Sequence, residues 1–236
     1  MVKKILGLFL IFFCCVTNLV FAEGTKPVQL SIWSTVQLFP ASDSIKGFRL
    51  NLLYTDNMDM SGLTFGGILT KTSGDMKGIE LGLINWTDGS SHGFKCGLLN
   101  YTGNRSVGLD IGVVNIGQGD TTGVQLGIVN RNEGFFHGWQ DGVVNYVNGS
   151  YIGFQEGIVN IVKGDASGFQ SGVVNSVSGT MNGIQGGLIN YAEKMCGLQL
   201  GLFNTTHSLD GVQIGLSNYT GKAEPLKWML IVNWSF

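Results

Sequence analysis

An eight-residue pattern recurs along this chain at an almost constant interval. The pattern is G-Φ-x-x-G-Φ-Φ-N, where Φ is apolar, and it occurs eight times in steps of 15 residues from Gly78 to Gly183. Two further copies follow in steps of 14 residues, at Gly197 and Gly211. Self-similarity at such a period predicts an architecture built from tandem copies of one small structural unit.

Each unit has the pattern of a β-strand followed by a turn. With its first Gly as position 1, positions 2 and 6 are apolar, position 5 is almost always Gly and position 8 is Asn. Apolar residues at even spacing follow the period of a strand, and the Gly, Asn, Asp and Ser residues after position 10 are typical of turns. We therefore predict one strand of about 10 residues and one tight turn per unit.

A strand of this length is long enough to cross a bilayer at a tilt. Strands at 27–39 and 226–236 flank twelve repeat strands, which include looser copies from Gly47 and Gly62. The resulting even number predicts an all-β fold, a 14-stranded antiparallel up-and-down transmembrane β-barrel built from 15-residue repeats. The alternative is a β-solenoid, in which each unit makes one coil and the Asn residues stack as a ladder.

The first 22 residues are typical of an export signal. Lys3 and Lys4 precede an unbroken apolar run over residues 5–16, and Ala22 occupies a cleavage position. We expect residues 1–22 to be a signal peptide and residues 23–236 to form a single domain. The predicted location is the outer membrane of a bacterial cell, with outer-membrane lipid as a partner.

The last strand has alternating apolar residues and ends on an aromatic one. Such a strand is similar to the C-terminal segment by which outer-membrane barrels are recognised, and it predicts the barrel assembly machinery as a partner. The residues of this expected assembly signal are Trp228, Leu230, Val232, Trp234 and Phe236.

The chain also resembles a family, the Gly/Asn-rich surface repeat proteins of diderm bacteria. The resemblance rests on the opening PVQLSIWSTVQLFP, on GFRLNLLY and on the repeated G-Φ-Q-x-G-Φ-Φ-N, and it extends from Pro27 to the end. It implies an outer-membrane protein and little about activity, since such proteins are largely uncharacterised.

Alternation along each strand would place positions 2, 4, 6 and 8 on one face and the odd positions on the other. The even face is the more apolar and is the expected lipid face. The odd face carries polar residues at position 3, which we expect to line a wet lumen. The expected lumen residues are Gln125, Gln140, Gln155, Gln170, Gln185, Gln199 and Gln213.

One polar sector interrupts the even face at position 4. Asp141, Glu156 and Ser171 occupy three consecutive units at a depth where an unpaired acid is costly in lipid. A partner or a second copy covering this sector would resolve the conflict, as would an exchange of the two faces. Self-association through the sector is therefore one of the expected contacts.

Two further columns have two interpretations each. The Asn at position 8 forms either an interfacial hydrogen-bonding belt or the entry to each turn. The Tyr and Trp residues at position 9 form either an interfacial girdle or cross-strand packing near the turns. Those aromatic residues are Trp86, Tyr101, Tyr146, Tyr191 and Tyr219.

Charge and motif content argue against catalysis and nucleic-acid binding. Residues 1–22 hold two of the 14 basic residues and none of the 16 acidic ones, which leaves a net charge of −4 beyond them. The three His residues lack metal-ligand spacing, and no nucleophile or dinucleotide motif is complete. We expect no cofactor and no disulfide between Cys96 and Cys196. The predicted role is a passive pore for small polar solutes or a structural surface protein; the alternative is a secreted or periplasmic solenoid that acts as an interaction surface.

Overall fold

The repeats stack as parallel coils and do not form a barrel. The structure, a computed structural model, describes residues 24–222 and 226–236, so the expected signal peptide lies outside the described residues. About 13 coils form one parallel β-solenoid. Equivalent residues of neighbouring units pair in parallel register, as Gly108 with Gly123 and Asn115 with Asn130. The antiparallel barrel prediction is therefore wrong, and the solenoid alternative is confirmed.

Sixteen strands belong to one sheet system within the described residues. They are β1 (Thr25–Trp33), β2 (Val36–Gln37), β3 (Ser44–Asn51), β4 (Tyr54–Asn57), β5 (Met60–Gly66), β6 (Leu69–Thr72), β7 (Met76–Leu81), β8 (Ile84–Thr87), β9 (Ser91–Thr102), β10 (Ser106–Gly117), β11 (Thr121–Asn132), β12 (Phe136–Val147), β13 (Tyr151–Val162), β14 (Ala166–Leu200), β15 (Phe203–Thr220) and β16 (Trp228–Ser235). From β9 to β15 a strand continues around one or more bends of a coil.

Each coil contains two short strands, whereas the repeat suggested one long one. In one coil β7 and β8 are separated by a bend at 82–83, and the chain turns again at 88–90. We call positions 5 and 6 corner 1 and positions 11–13 corner 2. Sheet 1 contains positions 14 and 15 of one unit and positions 1–4 of the next, and sheet 2 contains positions 7–10. At about 4.8 Å per coil, the stack is about 60 Å long.

Glycine at position 1 is required by the closeness of the coils. Gly183 has a φ of 136°, a region that side chains rarely adopt. A methyl group there would also overlap the carbonyl oxygen of Gly168 in the preceding coil. The fixed first Gly of the repeat therefore follows from backbone contact between neighbouring coils.

The interior of the solenoid is largely polar. Side chains at positions 3, 8, 10 and 14 point inward, and the residues at positions 3 and 8 are almost fully buried. Position 8 was expected on the same face as positions 2, 4 and 6. That assignment is wrong, because corner 1 interrupts the strand alternation and returns position 8 to the interior.

Within the part of the chain that the structure describes, apolar side chains fill two internal regions, both near corner 2. A small cluster contains Ile45, Met60 and Met76. A larger cluster is centred on Phe136 and Tyr151, whose rings stack with centroids 5.7 Å apart. Between these regions the core relies on polar groups that must bond to one another.

Antiparallel strands close both ends of the stack. β2 pairs antiparallel with β1 at the first coil, and β16 pairs antiparallel with β15 at the last. β16 therefore covers the edge of the final coil and does not close onto the first strand. Of its expected assembly residues, Val232 is half-buried, and four are exposed. These four are Trp228, Leu230, Trp234 and Phe236.

Candidate interaction surface

The glutamines expected in a lumen form a buried ladder. From Gln140 onward, each amide nitrogen donates to the side-chain oxygen of the preceding Gln, for example from Gln140 to Gln125 at 2.8 Å, and the amide nitrogen of Gln125, the first member, has no partner. The ladder ends where Asn233 of β16 donates to the oxygen of Gln213 at 3.3 Å. Its members are Gln125, Gln140, Gln155, Gln170, Gln185, Gln199 and Gln213, all at most 1% exposed. These side chains bond to one another inside the coils.

The asparagines of position 8 form a second ladder that donates in the opposite direction. The amide of Asn85 donates to the side-chain oxygen of Asn100 at 2.8 Å, and the same arrangement continues to Asn218. Each amide also bonds the position-4 carbonyl of the next coil, directly before corner 1, as from Asn85 to Cys96 at 3.0 Å. Position 8 is thus neither an interfacial belt nor a turn-entry residue, and the ladder expected for a solenoid is present.

Glycine at position 5 makes room for this second ladder. A methyl group at Gly97 would collide with the carbonyl of Gly82 and lie 2.8 Å from the Asn85 amide nitrogen. A side chain at this position would therefore displace the amide that satisfies corner 1. The spacing between Gly and Asn in the repeat reflects this packing.

Charged residues replace glutamine in the first part of the position-3 column. Arg49 donates to the carboxylate of Glu80 at 2.8 Å across an intervening coil, and both side chains are fully buried. Lys95 lies 3.5 Å from the Asp110 carboxylate. Burial raises the pKa of Glu80, with opposing effects from Arg49 and Lys95, and burial lowers the pKa of Arg49. Desolvation thus acts against both members of the pair.

The exterior of the solenoid carries a continuous apolar column at corner 1. Position 6 is apolar and at least 40% exposed in ten consecutive coils. Its residues are Leu83, Leu98, Val113, Ile128, Val143, Ile158, Val173, Leu188, Leu202 and Leu216. Because coils stack about 4.8 Å apart, this column is about 50 Å long.

Apolar columns flank it on both sheets. On sheet 2, position 7 is apolar in every coil from Ile84 to Phe203. On sheet 1, position 4 is apolar at most coils, including Leu81, Ile111 and Ile214. We call columns 4, 6 and 7 together the apolar edge.

The polar sector and Gly186 beside it interrupt column 4 of the apolar edge among the coils from Gly78 to Ile214. Asp141 and Glu156 are exposed neighbours in parallel register, and Ser171 beside them is half-buried. Its two carboxylates lie on the outer surface of sheet 1, next to corner 1.

Polar tips of the position-9 side chains point away from the apolar edge. Trp86 donates from its indole nitrogen to Asp88 at 2.7 Å, and the Tyr191 hydroxyl donates to Glu193 at 2.9 Å. This hydrogen bond to Glu193 raises the pKa of the Tyr191 phenol. The Arg131 guanidinium bonds Glu133 in the same direction. In each case the partner lies two residues later, at the start of corner 2. The rings of Trp86 and Tyr101 also stack, with centroids 4.0 Å apart.

Corner 2 forms the polar side of the solenoid. Carboxylates there accept backbone N–H groups of the following coil, as Asp120 does from Phe135 at 2.9 Å and Asp165 from Thr180 at 2.7 Å. The cross-section is therefore amphipathic, with an apolar edge at corner 1 and a hydrogen-bonded polar edge at corner 2.

An open groove of about 420 Å³ continues the apolar edge at the first coils. It lies between the β1–β2 pair and the end of β3. Its lining is mostly aliphatic and consists of Leu30, Ser31, Ile32, Val36, Gln37, Leu38, Leu50, Asn51 and Leu52.

No cluster of three or more His, Cys, Asp or Glu side chains with metal-binding geometry occurs within residues 24–222 and 226–236. Within the same residues no helix has the length and apolar character to span a bilayer. Cys96 and Cys196 are both free thiols and half-buried.

Sequence reasoning missed two features of this arrangement. The alternating charges of Arg49, Glu80, Lys95 and Asp110 occupy one repeat position, which is the signal for a shared buried column. The pairing of an aromatic residue at position 9 with a polar residue at position 11 is also visible in the repeat. Two residues apart on a strand, such side chains share one face.

Comparisons with protein-family models, curated proteins and solved structures find no match for this chain.

Proposed function

We propose that this protein is a repeat-built interaction scaffold whose apolar edge docks an apolar partner. The observation that carries the proposal is the position-6 column, which keeps a large aliphatic side chain exposed through ten consecutive coils. A repeat that served packing alone would place its apolar residues inside and its amides outside. Here the arrangement is reversed, so the apolar exterior requires its own explanation.

The size of this surface supports binding. A strip about 50 Å long and about 10 Å wide presents about 500 Å² at corner 1 alone, before its flanks are counted. This area is comparable to the largest apolar patch on a typical monomer, which is often functional. Covering it would contribute about 12 kcal/mol at 25 cal/mol per Å², enough to offset a substantial cost of association.

The polar interior supports a structural role for the glutamine and asparagine columns. Their amides hydrogen-bond to one another and to backbone carbonyls, as Asn145 does when it donates to the side-chain oxygen of Asn160 and to the Glu156 carbonyl. A rod built in this way holds its exterior columns straight and evenly spaced. We therefore propose binding as the activity of this protein.

Thiol accessibility in intact cells tests this proposal. In a background without other cysteines, Val113→Cys places a thiol in the position-6 column and Ser178→Cys places a matched thiol at corner 2. We expect a water-soluble maleimide to label Ser178→Cys in cells and in purified protein, and to label Val113→Cys only after purification. Equal labelling of the two thiols in cells would show that nothing covers the apolar edge.

A further inference from the structure

We infer that the partner of the apolar edge is a lipid bilayer surface, into which corner 1 inserts while the rod lies flat and corner 2 stays in water. The inference rests on the interaction role proposed above and names its partner. Four features of the structure support it: the shape of the edge, its backbone bonding, its boundary residues and its depth.

The edge is apolar on three sides. Column 6 forms the rim, column 7 lies on sheet 2 and column 4 lies on sheet 1, facing the opposite way. A rigid flat partner can cover one of these faces and must leave the other exposed. Acyl chains are fluid and surround all three.

A second copy of the chain satisfies the surface less well. Packing sheet 2 against sheet 2 over about 12 coils would bury about 600 Å² on each copy, or about 1,200 Å² in total. That area is at the lower end for a stable protein interface. Such a dimer would also leave exposed aliphatic residues of sheet 1, such as Leu200 and Ile214, in water.

Backbone groups at corner 1 are paired without water. The N–H of Leu98 donates to the carbonyl of Leu83 at 2.8 Å, and the Gly82 N–H donates to the carbonyl of Cys96 at 3.0 Å. The Asn85 side chain bonds the same Cys96 carbonyl. A bend that enters hydrocarbon must satisfy its polar groups internally, and the asparagine ladder supplies donors for this purpose in each coil.

The position-9 residues mark a boundary between apolar and aqueous surroundings. Trp86, Tyr146 and Tyr191 present their rings beside column 7 and direct their polar atoms toward corner 2, where they bond Asp88, Asn148 and Glu193. Aromatic side chains at membrane interfaces adopt this orientation, with one end apolar and the other hydrated.

Sheet 1 has a matching boundary. Position 2 is apolar from Phe48 to Val212, whereas the adjacent position 15 carries exposed polar residues such as Lys77, His92 and His137. Position 9 follows corner 1 by three residues and position 2 precedes it by three residues, about 10 Å of extended chain in each case, so a single plane can pass through both boundaries.

The depth of this apolar region fits a bilayer surface. Positions 2 to 5 span about 10 Å of extended chain, the depth to which interfacial elements enter the boundary between headgroups and acyl chains. Asp141 and Glu156 belong to column 4, like Cys96, and would enter to the same depth. Because the rim of the edge itself enters only about 10 Å, they stay above the midplane, where the penalty for a charge is greatest.

The two native thiols beyond residue 22 report on opposite sides of the boundary. Cys96 lies in column 4, and Cys196 lies at the equivalent of position 15, where it pairs with Asp210. In full-length chains with Cys14 and Cys15 replaced by Ser, each thiol is retained alone and labelled with a polarity-sensitive fluorophore. Vesicles of phosphatidylcholine that contain a chain-labelled nitroxide lipid are then added.

We expect the label on Cys96 to shift to the blue and to be quenched by the nitroxide, and the label on Cys196 to do neither. Quenching of neither label would overturn the inference, and so would equal quenching of both. If the chain attached to the vesicles only through residues 5–16, both labels would stay in water, and this result would also contradict insertion of corner 1. A shift of the Cys96 label that depends on protein concentration and not on vesicles would identify a second copy as the partner.

A matched pair of substitutions measures the contribution of the edge. Ile158 in column 6 and Ile152 at position 15 are 51% and 43% exposed. Ile158→Gln should weaken partitioning into the same vesicles about tenfold, whereas Ile152→Gln should leave it within about twofold. Equal effects of the two changes would contradict insertion at corner 1. If Val113→Cys were still protected in cells, equal effects would contradict the bilayer as partner but not the interaction role. If Val113→Cys were labelled in cells, both proposals would be wrong.

Discussion

Removing one asparagine from the middle of its ladder should destabilise the solenoid far more than removing one from its surface. Asn145 is fully buried and accepts a bond from Asn130 at 2.8 Å. It donates to the oxygen of Asn160 at 2.9 Å and to the carbonyl of Glu156 at 2.6 Å. Asn145→Ala removes all three bonds.

The cost follows from the groups that lose a partner. The side-chain oxygen of Asn160 is left without a donor in a buried site, which costs about 1–3 kcal/mol. Each of the other two bonds contributes about 1 kcal/mol. We therefore expect Asn145→Ala to lower the free energy of unfolding by about 4 kcal/mol.

Two control substitutions should lower the free energy of unfolding by less than Asn145→Ala does. Asn148→Ala changes an exposed residue of corner 2 and should cost less than about 0.5 kcal/mol. Asn85 begins the ladder, and its side-chain oxygen has no partner. Asn85→Ala therefore breaks two bonds, and its cost should be about 1 kcal/mol smaller than that of Asn145→Ala.

Urea titrations followed by circular dichroism measure these differences, and hydrogen exchange of the coils around Asn145 locates them. If Asn145→Ala and Asn148→Ala unfolded within about 1 kcal/mol of each other, the ladder would not be a source of stability. The interior would then have to be held together by its apolar clusters alone.

Three further predictions concern other parts of the fold. Burial raises the pKa of Glu80 above its ordinary value of 4.5, so this carboxyl stabilises the folded protein most at a pH below 4.5, where it is protonated. In urea titrations, the difference in the free energy of unfolding between wild type and Glu80→Gln should therefore shrink as the pH rises above 4.5. Gly183→Ala should cost about 3 kcal/mol or more in the same assay, whereas Gly186→Ala, whose methyl group meets open space, should be neutral or stabilising by about 0.5 kcal/mol. Deletion of residues 226–236 exposes the edge of β15 and removes the cap on Gln213, so light scattering should show end-to-end association that the full chain lacks.

The repeat pattern predicted β-structure, the turn at corner 2 and the period, but it missed the second bend and did not distinguish a membrane crossing from a coil. Both folds place apolar residues of positions 2, 4 and 6 outside and the position-3 amides inside. The deciding feature is the bend at positions 5 and 6, because it divides the unit into two strands. Gly97 and its equivalents make that bend possible by leaving room for the Asn85 amide, a contact between coils that a single unit does not display.

The repeat pattern also did not show that neighbouring units pair in parallel. Pairing of Gly108 with Gly123 gives the same composition per strand as antiparallel pairing of adjacent units would. The cue was the identity of residues at equal positions, since ladders of Asn or Gln require like residues to meet in register. A run of like amides at one position therefore favours stacking over alternation.

The side-chain amides of the Gln column and of the Asn column donate in opposite directions along the stack. This arrangement bears on how a gene for such a repeat protein can change in length. Gln140 points its N–H groups toward the amino terminus and Asn145 toward the carboxyl terminus, and every unit from Gly138 to Gly183 keeps this polarity. Duplicating or excising one whole unit rejoins donor to acceptor in both columns without any compensating substitution. Rod length can thus change by whole units in the Gln-containing part of the stack. The terminal strands and the coils that hold the buried pairs Arg49–Glu80 and Lys95–Asp110 have to be kept.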